Sequence, residues 1–253
     1  EEIVYRDYTI KAVIDWQKET FGNETKPLIY MIQDYEPGFY PWSSRYMMAD
    51  STYRMDIPVY AVMNSTLLRE FFDKNDYTFA KTWSFDPILN EKLAQFLPQD
   101  NASVEKKKQI IVYGRPSTER NAFALLVAGL KLWREKQGDA SEWELLSAGE
   151  GHDDVDLGDG VVLKSMGKLS LEEYAQTMLD PYAGVSLMAS PHPSYPPLEM
   201  MATGGLVVVA PNDGNIEYIR AFLAQTVEAT KDREGYVESK NLSDKSDFKR
   251  YNK

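Results

Sequence analysis

The chain has no cysteine in its 253 residues. That excludes disulfides, thiolate metal sites and a cysteine nucleophile, and it fits a reducing compartment. Histidine is almost as scarce, with two residues. No HExxH helix, P-loop or Ser-His-Asp ordering can be assembled. Long hydrophobic runs are missing too. No window approaches the roughly 18 uninterrupted apolar residues of a membrane span. The opening EEIVYRDYTI is acidic and polar, unlike a secretory signal. The four Asn-x-Ser/Thr sequons, at Asn23, Asn64, Asn101 and Asn241, are therefore read as chance. Positive charge is in deficit: 28 Lys and Arg stand against 39 Asp and Glu, a net charge of −11. Nucleic acid is not an expected partner of so acidic a chain. A small anionic substrate stays open, because local cations and helix N-termini act against the global sign.

What is present is an ordinary globular balance, 43% apolar and 26% charged. Short apolar runs alternate with amphipathic ones. Strands are expected in KPLIYMIQDYEP (26–37), PVYAVMNS (58–65) and YTFAKTWSFDP (77–87), with a helix at 66–75. The charged stretch NASVEKKK (101–108) reads as a boundary. Beyond it, strands are expected at 109–114, 143–149, 161–167, 183–190 and 206–211. Helices are expected at 119–136, 169–179 (capped by Ser170) and 196–204. Uniformly apolar short strands separated by helices predict a doubly wound α/β fold with a parallel sheet. The expected units are residues 1–103, 104–219 and a C-terminal helix and tail over 220–253. The first unit has only about three strands, so the chain is expected to begin inside a domain.

In such folds ligands bind beyond the carboxyl ends of the strands. After the first strand of the second unit, Arg115 and Arg120 flank a turn and a helix start, a good clamp for a diphosphate; they also read as surface arginines paired with acids. The next loop holds Gly149, Gly151 and Asp154-Val155-Asp156, a weak metal motif that reads better as a solvated acidic loop. Ser165, Met166, Gly167 and Lys168 follow, either a plain connection or a place for a flat ring. SPHPSYPPLEMMATGG (190–205) comes last. Prolines suit a helix start. Glu199 sits in the expected first turn, where the helix dipole favours a carboxylate, or it faces the crevice and accepts from a sugar hydroxyl. The N–H groups of Ser194 and Tyr195 can reach phosphate oxygens. His192 reads alone as structural. Asp34, Tyr35 and Glu36 face the cleft or simply form the turn before Pro37.

IQDYEPGFYP (32–41), YGRPSTERNAF (113–123) and SPHPSYPPLE (190–199) together resemble, in order, the retaining GT-B glycosyltransferases of the large family numbered four. The likeness is strongest to bacterial rhamnosyltransferases of surface polysaccharide synthesis. The resemblance spans most of residues 26 to 219. It implies a GT-B fold: residues 1–103 as the carboxyl-terminal part of an acceptor-side Rossmann-like domain, and 104–219 as the donor domain. It implies catalytic roles for Arg115, Arg120 and Glu199, the arginines on the diphosphate and Glu199 on the ribose. Gly149, Ser165, Met166, Gly167, Lys168, His192, Ser194 and Tyr195 are implied to bind the donor. Asp34, Tyr35 and Glu36 are expected on the acceptor side. The implied donor is dTDP-rhamnose as a substrate, with no cofactor and no metal. The implied acceptor is a saccharide or polysaccharide. The expected location is the cytoplasm, with room for peripheral association at the inner membrane face. Where the broader family carries a first acid, this chain has Pro191. A nucleotide-sugar epimerase of the same architecture and a non-catalytic nucleotide-binding fragment are the competing readings.

Overall fold

A computed structural model describes residues 2–22, 26–95, 105–192 and 194–210. The tail expected over 220–253, the end of the second unit from 211, and Pro193 lie outside the described residues. Two sheets organise the rest. The first holds β1 (Leu28–Ile32), β2 (Val59–Met63) and β3 (Lys81–Ser84), all parallel and in that order. Helices α1 (Glu2–Phe21), α2 (Ser44–Ser51) and α3 (Thr66–Lys74) belong to this part. Its core joins Tyr30 and Ile32 to Val59, Ala61, Met63, Leu68 and Phe72, with Ile14 docking α1. The short α4 (Glu91–Ala94) follows.

The second sheet has six strands. They are β4 (Lys107–Gly114), β5 (Glu144–Gly149), β6 (Val155–Gly158), β7 (Val161–Gly167), β8 (Pro181–Ser186) and β9 (Leu206–Val209). Their order is β6-β7-β5-β4-β8-β9, parallel throughout except β6 against β7. Alternate residues of β4 feed opposite cores, because successive side chains of a strand point to opposite faces. Ile110 and Val112 meet Leu126 and Leu130 of α5 (Phe123–Lys136). Ile111 meets Met178 of α6 (Leu171–Leu179) and Met200 of α7 (Tyr195–Ala202). Both faces are covered, which explains the uniformly apolar strands. The expected α/β class with parallel sheets is what the chain adopts.

Three local expectations are corrected. The acidic loop after β5 contains strand β6, because Asp159-Gly160 turns the chain with both φ positive, 51° and 77°. That is the backbone of a two-residue hairpin, for which Asp-Gly is a strong signal. Its aspartates serve the hairpin: Asp154 accepts the Ser165 N–H at 2.8 Å and Asp156 the Gly158 N–H at 2.8 Å. Helix α5 begins at Phe123, later than expected, since residues Glu119–Asn121 form a 3-10 turn and Ala122 is left-handed at φ 49°. Glu199 lies one turn into α7, beyond its first turn.

Candidate active site

The chain leaves β4 for β5 and β7 on one side, then crosses back to β8 and β9 on the other. The order therefore reverses beside β4, and a crevice opens there at the carboxyl ends. The carboxyl ends of β1 and β2 face the same opening. One lobe, about 570 Å³, is lined by Gln33 and Asp34 after β1, Asn64 after β2, Arg120 after β4, and Met188, His192 and Ser194 after β8. Glu36, Phe39, Tyr195, Pro196 and Glu199 complete it. A second lobe, about 510 Å³, is lined by Arg115, Ser117, Gly149, Glu150, Gly151, Lys168 and Leu169. Tyr113 and Tyr174 line both lobes and stand between them.

The first lobe is built around Asp34. This buried carboxylate receives Arg120 Nη1 on Oδ2. On Oδ1 it accepts the Ser190 hydroxyl at 2.5 Å and the Tyr35 N–H at 2.8 Å. The Arg120 guanidinium also lies 3.9 Å from the centroid of the Phe39 ring. Asp34 and Phe39 follow β1, whereas Arg120 follows β4, so these contacts tie the two sheets together. Arg120 Nε is buried without an acceptor among the described residues. Ser190, which the sequence reading passed over, also accepts the His192 N–H at 3.0 Å. Its sequence signal was its place at the end of the strand expected over 183–190, which the structure ends at Ser186.

His192 is buried, and its Nδ1 accepts the Ser194 N–H at 3.1 Å. The neutral ring therefore carries its proton on Nε2, which makes no well-aligned hydrogen bond among the described residues although the Asn64 backbone lies close. Burial lowers the His192 pKa, and Arg120 adds to that, while Asp34 and the Asn64 backbone oppose it. The Ser194 amide is thereby spent, and Pro196 and Pro197 have no N–H. Of the two amides expected to reach a phosphate, Tyr195 alone retains its N–H at the helix start. Ser194 holds φ 65° and ψ 145° and makes no side-chain cap. Such a conformation is costly for a residue with a Cβ.

Glu199 receives the Tyr174 hydroxyl at 2.8 Å. Burial raises the carboxyl pKa, and the Tyr174 hydrogen bond partly offsets it. Burial, then the Glu199 charge, pushes the phenol far up, so Tyr174 stays a donor. In the sequence Tyr174 carries no signal beyond its place in the helix expected over 169–179.

In the second lobe Ser117 donates its N–H and hydroxyl to Glu150 at 3.1 and 2.8 Å. Gly149 has φ 139°, and an added Cβ would meet the Gly114 carbonyl oxygen at 2.8 Å. His152 is a pin beneath this loop: its Nε2 lies 2.7 Å from Ser147 Oγ and its Nδ1 2.7 Å from the Asp153 carbonyl. Of the expected 165–168 group, Lys168 lines the lobe; Ser165 is tied to the hairpin through His152 N and Asp154. Met166 and Gly167 end β7. On the acceptor side, Asp34 and Glu36 line the first lobe, whereas the Tyr35 hydroxyl turns to Tyr46 at 3.1 Å and Tyr77 at 2.8 Å. Among the described residues no three His, Asp or Glu side chains converge as metal ligands. No described helix is long and apolar enough to cross a membrane.

Residues 108–234, half of the chain, match the family model described as WsaF, C-terminal domain. Residues 6–66 match WsaF, N-terminal domain. The O-antigen biosynthesis protein RfbC of Myxococcus xanthus is 32% identical over 186 residues, 74% of this chain and 14% of that protein. The chain thus spans a small part of that relative. A sucrose-phosphate synthase from Thermosynechococcus elongatus superposes with a TM-score of 0.49 and 17% identity, covering 77% of this chain and 52% of that one.

Proposed function

Because the chain belongs to the WsaF family, we propose that it is a glycosyltransferase of bacterial surface polysaccharide synthesis with a GT-B arrangement. It moves a sugar, rhamnose from dTDP-rhamnose, onto a saccharide acceptor at the cytoplasmic face of the membrane. The printed name of the RfbC relative, an O-antigen biosynthesis protein, supports the polysaccharide setting. The observation that carries the reading is the two-lobed cleft between parallel sheets, with a guanidinium in each lobe.

Transfer breaks the bond between the sugar C1 and the diphosphate, and negative charge develops on the leaving phosphate. Arg115 and Arg120 are the groups that answer that charge, aided by the Tyr195 N–H. The unsatisfied Arg120 Nε–H is a donor that a diphosphate oxygen would complete. Glu199, aimed by Tyr174, accepts from the donor's ribose hydroxyls. Gly149 and Lys168 line the nucleoside end. The reaction is read as retaining and metal-independent, and it needs no flanking carboxylate pair of the glycosidase kind.

Titration with dTDP, UDP and GDP tests the donor site, and binding of none of them sinks the reading. Turnover of dTDP-rhamnose with an oligorhamnose acceptor then tests transfer. Proton NMR of the product reports the anomeric configuration, and an inverted linkage would overturn retention.

A further inference from the structure

The chain between the 3-10 turn Glu36–Phe39 and α2 reads YPWS and carries an indole into solvent. Trp42 is 79% exposed, at the upper end of the exposed apolar residues. It is nevertheless held in place. Its ring packs on Tyr46, with centroids 5.1 Å apart and planes at 42°. Tyr46 is fixed in the first turn of α2, where Ser43 Oγ accepts its N–H at 3.3 Å. The Tyr46 hydroxyl lies 3.1 Å from that of Tyr35. Tyr35 is anchored by Tyr77, whose hydroxyl donates to Asp50.

This ledge follows directly in the chain on residues that line the cleft. Phe39, three residues before Trp42, lines the lobe that holds Arg120. Tyr35 follows Asp34, whose carboxylate is the centre of that lobe. An exposed indole braced by a half-buried tyrosine, with phenol hydroxyls behind it, suits the ring of a sugar. One face of a pyranose is lined by C–H groups that pack on an aromatic face, while its hydroxyls remain in water or meet phenols. Trp and Tyr suit such a surface because each has an apolar body and a polar handle. The extra methyl of a 6-deoxyhexose enlarges the apolar face further.

Resting on the proposed transferase reading, we propose that Trp42 and Tyr46 form an acceptor subsite. It binds a saccharide unit of the growing chain set back from the unit that enters the Asp34 lobe. The occupant is the acceptor saccharide, and the donor does not touch this ledge.

The test uses the full chain and two calorimetric titrations, one with a methyl rhamnotrioside and one with dTDP. Trp42→Ala is expected to weaken trioside binding at least tenfold and to leave dTDP affinity and the thermal midpoint unchanged. Trp42→Phe is expected to restore most of the trioside affinity. Unchanged trioside affinity in Trp42→Ala overturns the subsite. So does a wild-type protein that binds dTDP but no trioside, which would leave the donor reading standing. Failure to bind both removes the transferase reading along with the subsite. Sedimentation of the same proteins gives a further check: a wild-type dimer that Trp42→Ala converts to monomer assigns the ledge to self-association and overturns the proposal.

Discussion

Asp34 and Arg120 are joined across the two sheets, the carboxylate from the loop after β1 and the guanidinium from the turn after β4. Both side chains are largely buried, at 11% and 16% exposure. Removing one partner of a buried pair leaves the other charged and unsolvated, which typically costs about 3–5 kcal/mol. Asp34→Ala also strips the Ser190 hydroxyl and the Tyr35 N–H of their acceptor. It is expected to lower the urea unfolding free energy by about that amount. Asp34→Asn, which keeps a carbonyl acceptor, is expected to lose less. An unchanged midpoint in Asp34→Ala would show that the pair does not hold the sheets together.

The two arginines are expected to separate in a double measurement. Arg115 lines the second lobe, and none of the described ion pairs includes it. Arg115→Ala should weaken dTDP binding by about 1.5–3 kcal/mol, the range of a charge-assisted hydrogen bond, with little change in stability. Arg120→Ala should weaken both. Equal stability losses in the two variants would contradict this division of labour.

Glu199 sets a pH dependence whose sign follows from its burial. Its carboxyl pKa is raised in the folded chain, so the unfolded chain ionises first as pH rises. The group therefore costs no stability well below its ordinary value of 4.5, and a penalty grows as pH climbs from there to the folded pKa. Glu199→Gln keeps an acceptor for Tyr174 and removes the titration. Urea unfolding between pH 4 and 8 is expected to show the variant gaining on the wild type as pH rises, while its dTDP affinity falls. A constant difference across that range would rule out the titration.

Two serines at helix starts are expected to behave differently. Ser170 and Glu173 form a reciprocal capping box, with Ser170 Oγ accepting the Glu173 N–H at 3.3 Å and the Ser170 N–H reaching Glu173 at 2.9 Å. Ser170→Ala should cost about 1 kcal/mol. Ser194 caps nothing with its side chain. Ser194→Ala should cost much less, as read by chemical denaturation. A loss as large at Ser194 would mean that its hydroxyl supports the loop in another way.

Gly149→Ala is expected to damage the cleft rather than the core. The new methyl would lie 2.8 Å from a backbone carbonyl at a positive φ, so the ends of β4 and β5 must part. dTDP affinity should fall while the far-ultraviolet spectrum is retained, and unaltered affinity would place the nucleotide elsewhere.

The sequence by itself determined most of the architecture. Short, uniformly apolar runs and one amphipathic helix after another leave few ways to bury β4, β5 and β7 except a parallel sheet covered on both faces. The same logic located strand ends, and so brought Arg115, Gly149 and Glu199 to notice, because ligand crevices follow topology. Short-range devices were legible where their chemistry is local, as in the Ser170 cap. The Asp159-Gly160 hairpin was equally local and was passed over because the surrounding acids suggested a loop.

Tertiary structure alone decided the partnerships. Asp34 meets Ser190 across 156 positions of sequence and Arg120 across 86. Tyr174 finds Glu199 only because α6 and α7 pack on one face of the sheet. Likewise the Ser194 amide is spent on His192 because the loop folds back on itself. Hydrophobic periodicity fixes which face of an element is buried, but it carries no record of which distant polar groups that burial brings together. A buried charge must still find a partner, and the fold supplies that partner from remote parts of the chain.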